Sequence, residues 1–229
     1  MLKCGSSTIF IFLLSTISLF SQVEIERQLG EFSKVSVYDG INLELVKSEE
    51  NKVEISGKNT SYIVVKNKNG DLKIRLNLEK RFAGDNTVVK LFYKTLYNII
   101  SHEGANVFSK DVIKQSDLFV KASTGSTQSL VVNLNTLKTT AATGAKIEIS
   151  GESAFHETTA TTESNINAQK LTTVETEAVS NTGGIVDVSA SKELKVNSKL
   201  GGIINVHKKT DKITEKISTG GVVNYLYNQ

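Results

Sequence analysis

The chain has one cysteine, no proline, no tryptophan, three histidines and three arginines among 229 residues. Each shortage excludes something. Cys4 stands alone and ahead of the apolar run at residues 9–20, the wrong side for a lipoprotein attachment site. A disulfide framework and a cysteine-based zinc site are therefore both out. His102, His156 and His207 include no pair spaced i, i+4, so the short helical zinc motif is absent as well. Each reads more simply as a surface histidine or a satisfied core one. The arginines, Arg27, Arg75 and Arg81, end before the middle of the chain. With no arginine stripe and a formal net charge of only +3, the footprint of a nucleic-acid binder is missing. Beyond residue 20 no apolar stretch is long enough to cross a bilayer as a helix.

The N-terminus carries a processing signal. Lys3, the short apolar run at 9–20 and the small residue Ser21 predict a signal peptide over residues 1–21, with Gln22 first in the mature chain. Removing Lys3 from 27 basic residues leaves 26 against 24 acidic ones. The mature protein would contain no cysteine, which is ordinary for a bacterial envelope protein. The expected destination is the cell envelope.

Threonine, serine, asparagine, valine and isoleucine are abundant, a mixture that favours strands and polar turns. Residues 22–100 read as an N-terminal strand segment with period-two alternation, clearest around Gly40-Ile41-Asn42 and the residues after it. The polar stretches 47–52 and 66–71 predict hairpin turns, the second holding the strong turn pair Asn69-Gly70. Residues 80–86 predict a loop.

From residue 101 to 229 a repeat takes over. Thr124-Gly125-Ser126, Thr143-Gly144-Ala145, Thr162-Glu163-Ser164, Thr182-Gly183-Gly184, Leu200-Gly201-Gly202 and Thr219-Gly220-Gly221 have central residues 19, 19, 20, 18 and 19 positions apart. A weaker copy, Glu103-Gly104-Ala105, precedes them. Such a period marks a solenoid whose units bury their apolar faces against each other. Three positions after the last five centres come Ile147, Ile166, Val186, Ile204 and Val223; three before all six come Ala122, Ala141, Ala160, Ser180, Ser198 and Ile217. Small residues at one bend flanked by branched apolar columns predict coils of a parallel β-helix. Residues 22–229 would form one continuous unit, its N-terminal strands serving as first coils or as a cap. A β-sandwich of hairpins with coincidental spacing is the alternative. Scarce aromatics in the repeat suit the thinner solenoid core. Glu163 breaks the glycine pattern, which predicts a wider bend there. His156, Thr158 and Thr176 occupy columns apolar elsewhere, which predicts looser middle coils.

Gly40-Ile41-Asn42, the strand-rich segment and the Gly-Ala, Gly-Ser and Gly-Gly turns together resemble the bacterial "putative auto-transporter adhesin, head GIN domain" family. The resemblance covers roughly residues 32–226. It implies a right-handed parallel β-helix exported by Bacteroidetes-type bacteria, hence in the periplasm or on the outer-membrane surface of a Gram-negative bacterium, with a conjectural adhesion role and no catalytic motif to carry over. An autotransporter also needs a C-terminal membrane barrel of strands about 10 residues long. None is expected here, since the last strand read, at 222–227, still belongs to a coil.

The outward position between the buried columns holds Glu148, Asn167, Asp187, Asn205 and Asn224. Stacked amides can form a hydrogen-bonded ladder, and the same polar face could meet glycan hydroxyls or a cation. The enzymatic alternative is a polysaccharide lyase or hydrolase, a chemistry needing clustered carboxylates. Its candidate acids are Glu148, Glu175, Glu177, Asp187 and Glu193. Glu148 and Asp187 would lie two coils apart, roughly 9.6 Å at one strand spacing per coil, the upper limit for an inverting pair. Lys208, Lys209 and Lys212 make a small basic cluster that reads as a solvated loop. The expectation is a non-enzymatic binding or structural module, without cofactor, metal or nucleic acid, whose partner would be a glycan or a cell-surface protein.

Overall fold

The computed structural model describes residues 25–228; the proposed signal peptide lies outside the described residues. Eight bends share one backbone conformation. Asp39-Gly40, Glu103-Gly104, Thr124-Gly125, Thr143-Gly144, Thr162-Glu163, Thr182-Gly183, Leu200-Gly201 and Thr219-Gly220 all have two consecutive residues at positive φ. That pair of left-handed residues makes a tight reversal, and glycine enters the second position without steric cost. The bends stack. The second residue of each donates its N–H to the carbonyl of the first residue in the next, at 2.9–3.3 Å from Gly40–Glu103 through to Gly201–Thr219. Glu163 does not widen its bend: its φ of 58° follows 52° at Thr162, and its N–H still reaches Thr182. A side chain is simply held in the left-handed region, at a cost of roughly 1–2 kcal/mol. Glu163→Gly is therefore expected to stabilise the protein by about 0.5–1 kcal/mol after the extra entropy of unfolded glycine is subtracted. Urea denaturation of the two proteins measures this, and a loss of stability would refute it.

The strands are β1 (Ile25–Gln28), β2 (Lys34–Val37), β3 (Asn42–Lys47), β4 (Lys52–Gly57), β5 (Ile63–Lys68), β6 (Asp71–Leu76), β7 (Thr87–Tyr93), β8 (Asn98–Ser101) and β9 (Asn106–Lys114). They continue as β10 (Asp117–Ser123), β11 (Thr127–Ala142), β12 (Lys146–Ala160), β13 (Asn165–Asn167) and β14 (Leu171–Asn181). The last five are β15 (Ile185–Val188), β16 (Ala190–Lys199), β17 (Ile203–Val206), β18 (Lys212–Ser218) and β19 (Val222–Tyr225). From β8 onward all pairing is parallel. The register Thr127↔Lys146↔Asn165↔Ile185↔Ile203↔Val222 steps by 19, 19, 20, 18 and 19 residues, matching the turns. The molecule is a parallel β-solenoid of about seven coils.

Two sheets run its length. One holds β5-β6-β2-β8-β10, the second halves of β11 and β12, then β14-β16-β18; the other holds β1-β4-β7-β3-β9, the first halves of β11 and β12, then β13-β15-β17-β19. Ile147, Ile166, Val186 and Ile204 pair in one column and are at most 1% exposed. The core is continuous from Phe32 to Val206.

The N-terminal segment is spliced out of sequence order. β2 and β3 lie between the coil of β6 and β7 on one side and that of β8 and β9 on the other: Val35 pairs with both Leu72 and Ile99, and Leu43 with both Val89 and Val107. Antiparallel strands close this end, β5 against β6, β4 against β7 and β1 against β4. The Asn69-Gly70 hairpin forms as expected, with Lys68 opposite Asp71. The hairpin expected at 47–52 does not, because β7 sits between β3 and β4. At the other end Glu215 pairs beside buried Val196 in the inward column; a charge on an edge strand opposes edge-to-edge association.

The polar residues of the middle coils are sealed, not loose. His156, Thr158 and Thr176 are each at most 1% exposed. Thr139 Oγ1 donates to Thr158 Oγ1 at 2.8 Å, so it accepts from His156 Nε2 at 2.9 Å, while His156 Nδ1 is buried without a partner. Burial pushes the imidazole pKa down to about 3.

Candidate functional site

The five polar residues predicted to align do so. Glu148↔Asn167↔Asp187↔Asn205↔Asn224 is one register column on the outer face of the second sheet. Strand alternation explains it: Ile147, Ile166, Val186 and Ile204 point inward one residue earlier. The column divides into two chemically different parts. In the lower part Asn224 Nδ2 donates to Asn205 Oδ1 at 2.9 Å, and Asn205 Nδ2 donates to Asp187 Oδ1 at 3.0 Å. His207 Nε2 meets the same Asp187 oxygen at 2.7 Å. These groups satisfy one another. In the upper part, among the described residues, Asn167 Oδ1 accepts only from the Gln169 N–H at 3.1 Å. Glu148 is exposed and, among the described residues, in no side-chain hydrogen bond or ion pair. Around them Thr127, Ser129, Lys146 and Asn165 complete a shallow depression of about 370 Å³.

A second ladder escaped the sequence reading. Thr127 Oγ1 donates to Asn106 Oδ1 at 2.8 Å, Asn106 Nδ2 to Asn42 Oδ1 at 3.2 Å, and Asn42 Nδ2 to the Asp85 carbonyl at 2.9 Å. Its signal was the residue two places after each turn centre, a position not compared above. This gives Gly40-Ile41-Asn42 a structural meaning. Gly40 bends at φ 74°, Ile41 is fully buried, and Asn42 ties together two coils remote in sequence.

The candidate acids do not gather in one place. Glu148 and Asp187 lie on the second sheet, whereas Glu175, Glu177 and Glu193 lie on the first. There Glu175 neighbours Glu193, and Glu157 neighbours Glu177, in adjacent coils. Lysines engage three of these four: Lys138–Glu157 at 2.6 Å, Lys195–Glu177 at 2.7 Å and Lys212–Glu193 at 3.0 Å. Hydrogen bonding from Lys212 holds the Glu193 carboxyl below its ordinary range, opposite to what a general acid requires. Lys212 is thus spent on an ion pair, apart from the loop lysines 208 and 209. Among the described residues no group of three or more His, Cys, Asp and Glu side chains could hold a metal ion, and no helix is long and apolar enough to cross a membrane.

The same solenoid occurs in solved structures. A crystal structure of a putative adhesin from Bacteroides fragilis NCTC 9343 superposes with a TM-score of 0.82 at 15% identity, covering 90% of this chain and 98% of that one. A putative adhesin from Parabacteroides distasonis ATCC 8503 gives 0.71 at 17% identity, covering 88% and 95%. A putative lipid binding protein from the same organism gives 0.67 at 16% identity, again covering 88% and 95%. At such identities these likenesses establish the fold. No curated protein matches the chain. Sequence membership comes instead from a family model spanning residues 31–225, which takes in the Gly-Ile-Asn bend, the closed end apart from β1, and all the stacked turns. The chain therefore belongs to the family described as putative auto-transporter adhesin, head GIN domain.

Proposed function

We propose that this protein is a non-enzymatic, exported cell-envelope module that binds a glycan or surface partner on the outer face of its second sheet. The observation that carries the reading is the division of the polar column. Asp187, Asn205 and Asn224 spend their hydrogen bonds on each other, whereas the Glu148 carboxylate and the Asn167 amide N–H groups stay available above a shallow depression. Rigid, periodic display of amides and hydroxyls suits recognition of sugar hydroxyls. Dispersed or lysine-paired acids suit glycoside cleavage poorly. The family's description and the putative adhesins of the same fold point to the same class of function.

A glycan array probed with protein lacking residues 1–21 tests the proposal. Asn167→Ala and Glu148→Gln are expected to weaken any hit severalfold, whereas Asn205→Ala should leave binding intact and lower thermal stability. Release of reducing ends or unsaturated products from polysaccharides, abolished by Glu148→Gln or Asp187→Asn, would overturn the non-enzymatic reading in favour of a lyase or hydrolase. Export has its own test: envelope protein from the native bacterium should begin near Gln22, and an intact Met1 there would contradict it.

A further inference from the structure

We infer that the closed N-terminal end carries a second binding site, for a glycan bearing sulfate or phosphate esters. The site is a depression of about 460 Å³ on the outer face of the first sheet, lined by Tyr38, Lys66, Lys68, Asp71, Lys73 and Arg75. It lies on the sheet opposite the polar column. Asp71 is neutralised by Lys34 at 2.8 Å. Among the described residues no carboxylate lies within ion-pair distance of Lys66, Lys68, Lys73 or Arg75. Four unmatched cations therefore border one hollow.

Their arrangement works against stability. Lys66 and Lys73 are direct cross-strand partners in the β5–β6 hairpin, and like charges so placed repel. Protection of a sheet edge explains Lys66 and Lys68, which lie on the edge strand β5. It does not explain Lys73 and Arg75, which lie on β6, already paired on both sides by β5 and β2. Directly opposed lysines have Cβ atoms roughly 5 Å apart, close enough for both ammonium groups to grip one tetrahedral oxyanion. Lys68 and Arg75 extend the row along the strands to roughly 13 Å, room for further esters on the same chain. Beside them the Tyr38 ring is stacked on His102, centroids 5.0 Å apart and planes 16° from parallel. That fixed aromatic surface offers a sugar ring a flat apolar support. A repeating anionic sugar matches the row, the hollow and the ring together.

The experiment titrates protein lacking residues 1–21 with dextran sulfate, uncharged dextran and phosphatidylglycerol vesicles. Dextran sulfate should bind at 50 mM salt and weaken about tenfold or more by 200 mM, as counterion release across three or four contacts requires. Uncharged dextran should not bind there. Lys66→Gln/Lys73→Gln should lose about tenfold in affinity while its melting temperature rises by about 1–3 °C, because the repulsion is gone. A variant that gains stability as it loses binding cannot be dismissed as misfolded. Lys208→Gln/Lys209→Gln, at the other end of the solenoid, should stay within twofold. The proposal fails if dextran sulfate does not bind, if the Lys66/Lys73 variant binds as well as the parent, or if vesicles alone are bound.

Discussion

Val186→Asp is expected to destabilise the protein by about 4 kcal/mol, since it places an unpartnered carboxylate in a dry core. Val186 is fully buried between Ile166 and Ile204 in the coils above and below. Stability in a solenoid is close to a sum of coil and neighbour-interface terms. A charge here weakens two interfaces at once, and local opening of the last coils is the cheapest escape. Asp187→Asn, one residue on and facing outward, keeps an acceptor for Asn205 and His207. It should cost about 1 kcal/mol or less. Denaturant unfolding of both variants measures the contrast. Equal losses would mean that the inside–outside register around residue 186 is wrong.

Acid should weaken the protein through His156, and burial of His102, which also lowers its pKa, acts in the same direction. His156 titrates near 3 when folded, against an ordinary 6.5, because burial disfavours its charged form. The unfolded chain takes up the proton first. The contribution of neutral His156 is thus complete above pH 6.5 and is lost as the pH falls from 6.5 towards 3. The slope is about 1.4 kcal/mol per pH unit, or about 2 kcal/mol lost by pH 5. The side chains beside it, Leu137 and Thr176 in the adjacent coils and Thr139 and Thr158 around its ring, carry no compensating charge. His156→Leu should remove this slope. It should also raise stability at pH 7 by about 1–2 kcal/mol, because the unpartnered Nδ1 disappears while Thr139 retains its bond to Thr158. Denaturation of both proteins at pH 7.5 and pH 5 tests this. The expected result is a stability gap that widens in acid, and a constant gap would exclude His156 as the titrating group.

The second half of the molecule was legible because a solenoid repeats its physics. Every coil must turn at the same place, so the paired left-handed residues recur at the turn period. Every coil must bury the same face, so Ile147, Ile166, Val186 and Ile204 recur with them. The polar column followed from the same register. The Glu163 bend was misread because glycine was taken as a requirement. Two stacked neighbours hold that turn, and their hydrogen bonds offset the strain of a side chain at positive φ.

Local pattern thus determined the strands, the coil length, the inward columns and the alignment of Glu148 through Asn224. Only the tertiary structure decided which coil lies beside which at the N-terminal end, where β2 and β3 slip between strands that follow them in the chain. Period-two alternation says which face of a strand is buried but not which strand will cover its edges. It likewise decided that the lower polar column is spent on itself while the upper part is not, and that Lys66 faces Lys73 across a hairpin. Those outcomes depend on side chains from different coils meeting in space, which no single stretch of sequence records.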